Sequence, residues 1–182
     1  MRLFYIGICS IILLSACKRG LSETEIEKVD HLQTQLKQAS IDLAQIDSAK
    51  IKAITIQYFE DLDYFKENFT DTVDAEFAHF INQYYGLKEM ISFLNESYPI
   101  AVKELDVNRA QLQNLKYDAK NGYVEPQHFK QYLELETENE EIIKKTIARI
   151  KRTYGKVINA YEKMSPKIDS IIQEDRKEKD NS

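Results

Sequence analysis

Between residues 73 and 119 a seam-forming side chain recurs at alternating spacings of four and three without a break. The series is Val73, Phe77, Phe80, Tyr84, Leu87, Ile91, Leu94, Tyr98, Ala101, Leu105, Asn108, Leu112, Leu115 and Ala119. A helix puts residues three and four apart on one face, and a stripe sustained this long needs other helices to cover it. A second series precedes it: Val29, Leu32, Leu36, Ala39, Leu43 and Ile46, then, after a slip of about one residue, Ile51, Ile54, Tyr58, Leu62, Phe65 and Phe69. A third follows. It is weak at Phe129, Leu133, Glu136 and Glu140, then strong through Ile143, Ile147, Ile150, Tyr154, Val157, Tyr161, Met164, Ile168 and Ile171. With five glycines and three prolines in 182 residues, few positions interrupt helices. No stretch shows the period-two alternation of a sheet. The fold class expected is all-α: an elongated antiparallel three-helix bundle with coiled-coil-like packing, occupying residues 23–172.

Local signals set the boundaries. Ser22-Glu23-Thr24-Glu25 has the form of a capping box and starts the first helix near residue 23. The turn at 68–71 offers Thr70 or Asp71 as the next cap. Pro99 lies inside the second helix and is expected to kink it; the alternative is a split that gives four helices. Asn121-Gly122 supplies a C-terminal stop and Pro126 suits a first turn. Ser165-Pro166 is a second candidate kink, and the charged segment 173–182 reads as a disordered tail. A helix of about 46 residues is about 70 Å long. The 121–125 loop then falls at the same end as the N-terminus, and the 68–71 turn at the other.

The first seventeen residues read differently. Met1-Arg2 is a short positive stretch, and Leu3–Leu14 an apolar run of 12 residues, too short to span a bilayer. Leu14-Ser15-Ala16-Cys17 follows: an apolar residue, two small ones and a cysteine. This resembles the lipobox signal of bacterial lipoproteins. The resemblance covers residues 1–17 and implies a signal peptide (1–16) cleaved between Ala16 and Cys17. It further implies acyl chains (diacylglycerol, palmitate) on Cys17, and a tether at 17–22. It places the protein in the cell envelope as a lipid-anchored membrane protein. Lys18 rather than Asp after the anchor favours the outer membrane, with surface exposure open. Cys9 leaves with the signal peptide, so no free thiol remains for disulfides, zinc ligation or nucleophilic catalysis.

Candidate sites are few. Glu76-Phe77-Ala78-His79 and Glu125-Pro126-Gln127-His128 both spell Glu-x-x-His. Two such motifs, with a Glu from each of two further helices, make the di-iron site of ferritin-like bundles. Antiparallel helices would hold these two about 60 Å apart, so they read as unrelated surface histidines and no metal ligand is assigned. His31 and His128, with Glu27 and Glu125, fall near one end and read as exposed polar residues. Aromatics concentrate where the first two helices meet. Most lie at seam spacing and read as core. Phe59 and Tyr85 lie off the seam, and with Phe69 they are the candidates for partner binding. Lys145, Arg149, Arg152 and Lys156 form a basic stripe, either an anion-binding flank or a solvated face paired with acids such as Asp61, Asp63, Asp74 or Glu76.

No Gly-rich phosphate loop, His-Glu-x-x-His or Gly-x-Ser-x-Gly occurs, so no catalytic residues and no cofactors are expected. The formal charge of −5 argues against nucleic acid as a partner. The function expected is a non-enzymatic spacer or protein-interaction module, membrane-bound through Cys17, with a protein partner or self-association. The alternative is a small-ligand or metal-binding, ferritin-like bundle.

Overall fold

The computed structural model describes residues 21–69 and 75–181, and every regular element in them is an α-helix. Five helices follow in order: α1 (Glu23–Ala44), α2 (Ser48–Asn68), α3 (Ala75–Tyr85), α4 (Lys88–Asn121) and α5 (Pro126–Asp180). The cap candidates Thr70 and Asp71 and the seam position Val73 lie outside the described residues, as do Ala16 and Cys17. No described helix is long and apolar enough to cross a membrane.

The seam residues form one continuous core. Val29, Leu32, Leu36, Ala39 and Leu43 of α1 are buried, as are Ile91, Leu94, Leu105, Leu112 and Leu115 of α4 and Ile143, Ile147, Ile150, Val157 and Ile168 of α5. Chain directions follow from which residues meet. Asp30 pairs with Lys116, and Ser40 lies 3.5 Å from Arg109, so numbers rise along α1 as they fall along α4. Lys151 of α5 reaches Asp42 at 3.2 Å and Gln45 at 2.8 Å. Tyr64 of α2 donates to Asp175 at 2.6 Å, so α1, α2 and α5 run the same way.

The slip near residue 46 is a helix break. After Leu43 the chain turns, and Asp47 caps α2 by accepting from the Lys50 backbone N–H at 2.9 Å. A straight helix would rotate Ile51 and Ile54 away from the core. Ending and restarting the helix turns both inward. Two lysine bridges hold the break: Lys151 to the end of α1, and Lys50 to Glu162 of α5 at 2.5 Å.

The alternative of a split at Pro99 is corrected, and the helix stays continuous there as expected. Pro99 sits within α4, and the interruption falls at Gly86-Leu87, thirteen and twelve residues earlier. The cause is a side chain. The buried Tyr58 hydroxyl donates to the carbonyls of Tyr84 (3.2 Å) and Tyr85 (3.1 Å) and accepts from the Lys88 backbone N–H. A hydroxyl inserted between a carbonyl and the amide four residues on replaces the helical bond there. Glycine relieves the crowding at that point: a Cβ on Gly86 would lie 3.2 Å from the Gln83 carbonyl oxygen. Proline costs α4 one backbone donor, but the residues around it keep packing. Tyr98 is half-buried, and Ala101 and Leu105 are buried.

The ends are capped as their residues dictate. Glu25 accepts from the Ser22 backbone N–H at 2.9 Å and its hydroxyl at 2.8 Å. These bonds hold the Glu25 carboxyl below the usual range. Gly122 takes the left-handed conformation (φ 67°) at the end of α4, and Pro126 opens α5. The segment expected to be a disordered tail is helical to Asp180, and α5 runs through Pro166. Partners on α2 hold it there. Asp175 accepts from Lys179 (2.7 Å) and from Tyr64, and its carboxyl lies below the usual range for those two reasons in that order. Lys179 also donates to Asn68 at 2.8 Å, and the Arg176 guanidinium lies 4.9 Å from the Tyr64 ring centroid. The seam shifts here to 164, 168 and 172, which buries Ile172 more deeply than Ile171.

Tyr58→Phe keeps the ring and removes the hydroxyl. The exposed-carbonyl side of the break then loses its donor, and stability is expected to fall by about 1–3 kcal/mol. Urea unfolding measures the loss; circular dichroism should show no loss of helix, since the Lys88 amide can return to the Tyr84 carbonyl.

Candidate functional site

Two surfaces depart from an ordinary solvated helix flank. The first lies between α4 and α5. On α4 the residues Ala101, Leu105, Asn108 and Leu112 point into the core. Ile100 and Val107 each precede a core residue by one, so they sit about 100° round the helix and face outward. On α5, Leu135 and Ile142 hold the equivalent position beside Glu136 and Ile143. Ile100, Leu135 and Ile142 are 58%, 55% and 62% exposed, values unusual for branched aliphatics. A groove of about 370 Å³ runs between Ile100 and Val107 on one side and Ile142 on the other, with Ala101, Asn108 and Ile143 along its floor and Asn139 and Thr146 on its rim; Leu135 lies beyond it. The two small floor residues on α4 give it depth. Asn108 is buried and turns its amide back to the Glu104 carbonyl at 2.9 Å, so the floor is satisfied within its own helix.

The second is a groove of about 570 Å³ between α1 and α5, lined by Glu27, His31, Gln35, Leu133, Thr137 and Glu140. His31 Nε2 shares a hydrogen bond with Gln35 at 3.0 Å. Glu140 is 2% exposed, its Oε1 makes no hydrogen bond, and the Lys144 ammonium lies 3.5 Å away. One turn earlier, Glu136 is buried with its Oε2 unpartnered, and burial raises its carboxyl above the usual range. These are the two polar members of the α5 seam.

The remaining candidates are dispersed. Glu76 and His79 lie on α3, whose Phe80 ring sits 4.5 Å from the Lys167 ammonium, whereas Glu125 and His128 begin α5. The 39 residues of α5 from 128 to 167 span about 58 Å, so the two Glu-x-x-His motifs do not share a site. Among the described residues no group of three or more His, Cys, Asp and Glu side chains is placed to hold a metal ion. The two motifs therefore do not combine into the donor set of a ferritin-like centre. His128 lies in the first turn of α5, more than a turn short of the groove that His31 lines.

Within the basic stripe, Lys145 pairs with Glu141 on its own helix at 3.1 Å, and the Arg149 guanidinium lies 4.2 Å from the Phe93 ring centroid. Arg152 and Lys156 are exposed. Asp61, expected as an acidic partner for this stripe, is buried instead. Of the aromatic candidates, Phe59 is half-buried with its ring edge-on to Tyr58 at 5.4 Å. Phe69 packs on Phe65 (5.3 Å) and Phe77 (5.5 Å). Tyr85 is 37% exposed.

The sequence reading missed the Asp61 network. Asp61 is 2% exposed and accepts from the Tyr84 hydroxyl at 2.6 Å and from Gln57 at 2.9 Å. Burial raises its carboxyl above the usual range, and the two donors offset part of that. Burial, then the Asp61 carboxylate, push the Tyr84 phenol up, and burial raises Tyr161 to about 12. The available signal was spacing: Asp61 follows the seam residue Tyr58 by three.

No protein family, curated protein or solved structure matches this chain.

For Glu136 the linkage sign is definite. Its folded pKa is raised, so between the unfolded value and the raised one the native state holds more protons than the unfolded state. The stability from this group is full at or below the unfolded pKa and is lost as pH rises through that window. Glu136→Leu should make stability less dependent on pH above the ordinary carboxylate range. It should also raise stability at neutral pH by about 1–3 kcal/mol. Urea unfolding across that range measures both.

Proposed function

We propose that this protein is a lipid-anchored component of the bacterial cell envelope. It acts as a non-enzymatic spacer and protein-interaction module. In this reading the α1–α2, α3–α4 and α5 legs form an elongated antiparallel three-legged bundle with coiled-coil-like packing. Acyl chains on Cys17 fix one end to a membrane, the outer membrane by preference, since Lys18 and not Asp follows the anchor. The observation that carries the interaction role is the groove flanked by exposed Ile100 and Val107 on α4 and Ile142 on α5, with exposed Leu135 further along α5. Two parallel rows of aliphatic side chains flanking a shallow groove accept the apolar face of a third helix, with anchors three, four and seven residues apart. The helix that fills it would come from a protein partner or a second copy of this chain. The length of the rod supports the spacer role: α5 alone has 55 residues, about 83 Å.

Two experiments test the reading. Cys17→Ser should move the protein from the membrane fraction to the soluble fraction, and retention in membranes would contradict the anchor. A photo-reactive residue at position 139, on the rim of the groove and activated in cells, should capture one recurrent partner. Ile142→Glu should abolish that capture while changing stability by no more than about 0.5 kcal/mol, because the position is exposed. Labelling spread over many proteins, unaffected by the substitution, would remove the interaction role.

A further inference from the structure

The end of the molecule from which the N-terminal segment departs carries an unusual surface. Asp30 and Lys116 are level with one another. Seven residues before Asp30 is Glu23, the first residue of α1. Seven after Lys116 is Tyr123, in the turn between α4 and α5. The start of α1 and the α4–α5 turn therefore lie at one height. Leu21 already packs against the core, as does Val124 of the turn. Only four residue steps separate Leu21 from Cys17, a span of at most about 14 Å when fully extended.

Three tyrosines face solvent at this same end. Tyr123 is 70% exposed, Tyr117 59% and Tyr132 49%. The Tyr117 and Tyr123 rings pack together with centroids 5.9 Å apart. Among the described residues the other exposed tyrosine is Tyr85, at 37%, next to the α3–α4 break. At the opposite end the rings are covered: Phe65 is buried, and Tyr64, Phe69, Phe77 and Phe80 are half-buried. Aromatic rings are thus withheld from water at one end and presented to it at the other. Charge does not explain the difference, since Lys120 and Lys130 near the turn are matched by Asp118 and Glu125.

We propose that the α4–α5 turn, through Tyr117, Tyr123 and Tyr132, is seated in the headgroup layer of the bilayer that holds the Cys17 lipid. This rests on the lipid anchor proposed above. Tyrosine suits that layer, because the ring enters the apolar boundary while the hydroxyl stays with water and headgroups. The short tether keeps the turn within reach of it: the headgroup region adds about 5–8 Å to each side of the hydrocarbon. A lipid anchor alone leaves the rod free to pivot about its point of attachment. A second contact at the same end orients it, so that the α4–α5 groove is carried away from the surface and left open to a partner.

The chain contains no tryptophan, so a single Tyr123→Trp substitution reports on its own surroundings. The full-length protein, purified from the membrane fraction, is reconstituted into phosphatidylcholine–phosphatidylglycerol vesicles with and without brominated acyl chains. Mass spectrometry of the N-terminal peptide establishes whether Cys17 carries acyl groups. The Tyr123→Trp indole is expected to emit to the blue of its value in water and to lose emission to the bromolipid. Tyr132→Trp should behave likewise. Tyr85→Trp should be unaffected, because its neighbour Tyr84 packs on Tyr161, 35 residues and about 50 Å along α5 from Pro126. An acylated protein whose Tyr123→Trp and Tyr132→Trp indoles are unquenched overturns this inference and leaves the anchor intact. Blue-shifted but unquenched emission also overturns it, and points to protein rather than lipid over the turn. An unmodified Cys17 overturns the anchor and the inference with it.

Discussion

The stripe of aliphatic side chains along α5 is the surface on which the rest of the molecule depends. An isolated helix of this length has little to hold it beyond its backbone bonds, and helical stability in proteins comes mostly from packing an amphipathic face. Ile143, Ile147, Ile150, Val157 and Ile168 supply that face, and every other helix with described neighbours is arranged along it. The consequence is a division of labour. α5 is uninterrupted because its register never has to change partner abruptly. The flanking legs are broken: α1 from α2 because the leg must keep presenting its stripe to a neighbour whose surface drifts relative to it, and α3 from α4 where the Tyr58 hydroxyl enters the helix.

That division explains what the sequence disclosed and what it withheld. The seam positions were legible because a period between three and four is a property of the chain alone. Asn108 and the two glutamates could be placed on the core face by spacing even though their chemistry argues against it. The Asp47 break left a trace as a slip in the period. The α3–α4 break left none, since Tyr84 and Leu87 keep the three-residue step across it. Its cause is the hydroxyl of Tyr58, 26 residues away from Tyr84, and no local pattern encodes a contact of that range. Pro99 was the more conspicuous local signal, but a proline removes one bond whereas packing on both sides of it retains many. Propensity lost to tertiary context there.

Of the candidate surfaces, the sequence disclosed the basic stripe and the aromatic end and missed the groove between α4 and α5. The reason is physical. Ile100, Val107, Leu135 and Ile142 each lie next to a seam residue, and an apolar residue one step off a seam reads as a wider seam. Only placement of α1 on the other side of α4 and α5 shows that nothing among the described residues covers this face. Asp61 is the converse case, a charged residue assigned to the surface by type and drawn into the core by Tyr84.

The polar residues on the α5 seam bear on the same question. Glu136 and Glu140 interrupt the aliphatic stripe where the bundle approaches the end at which α1 starts, and Asn108 interrupts the facing stripe of α4. Filling those positions with leucine would lengthen the seam and strengthen it. It would also make this half of α5 an aliphatic face able to pair with any helix of similar period. Any helix packed over Glu136 or Glu140 desolvates a carboxyl, so these positions weaken pairings that an all-leucine face would favour. The uncovered groove begins beside these residues, with Asn139 on its rim and Asn108 in its floor. A helix entering it meets apolar rows that attract and an amide-bearing boundary that limits register. In the interaction role proposed above, a surface built in this way would select among helices, which a plain hydrophobic strip would not.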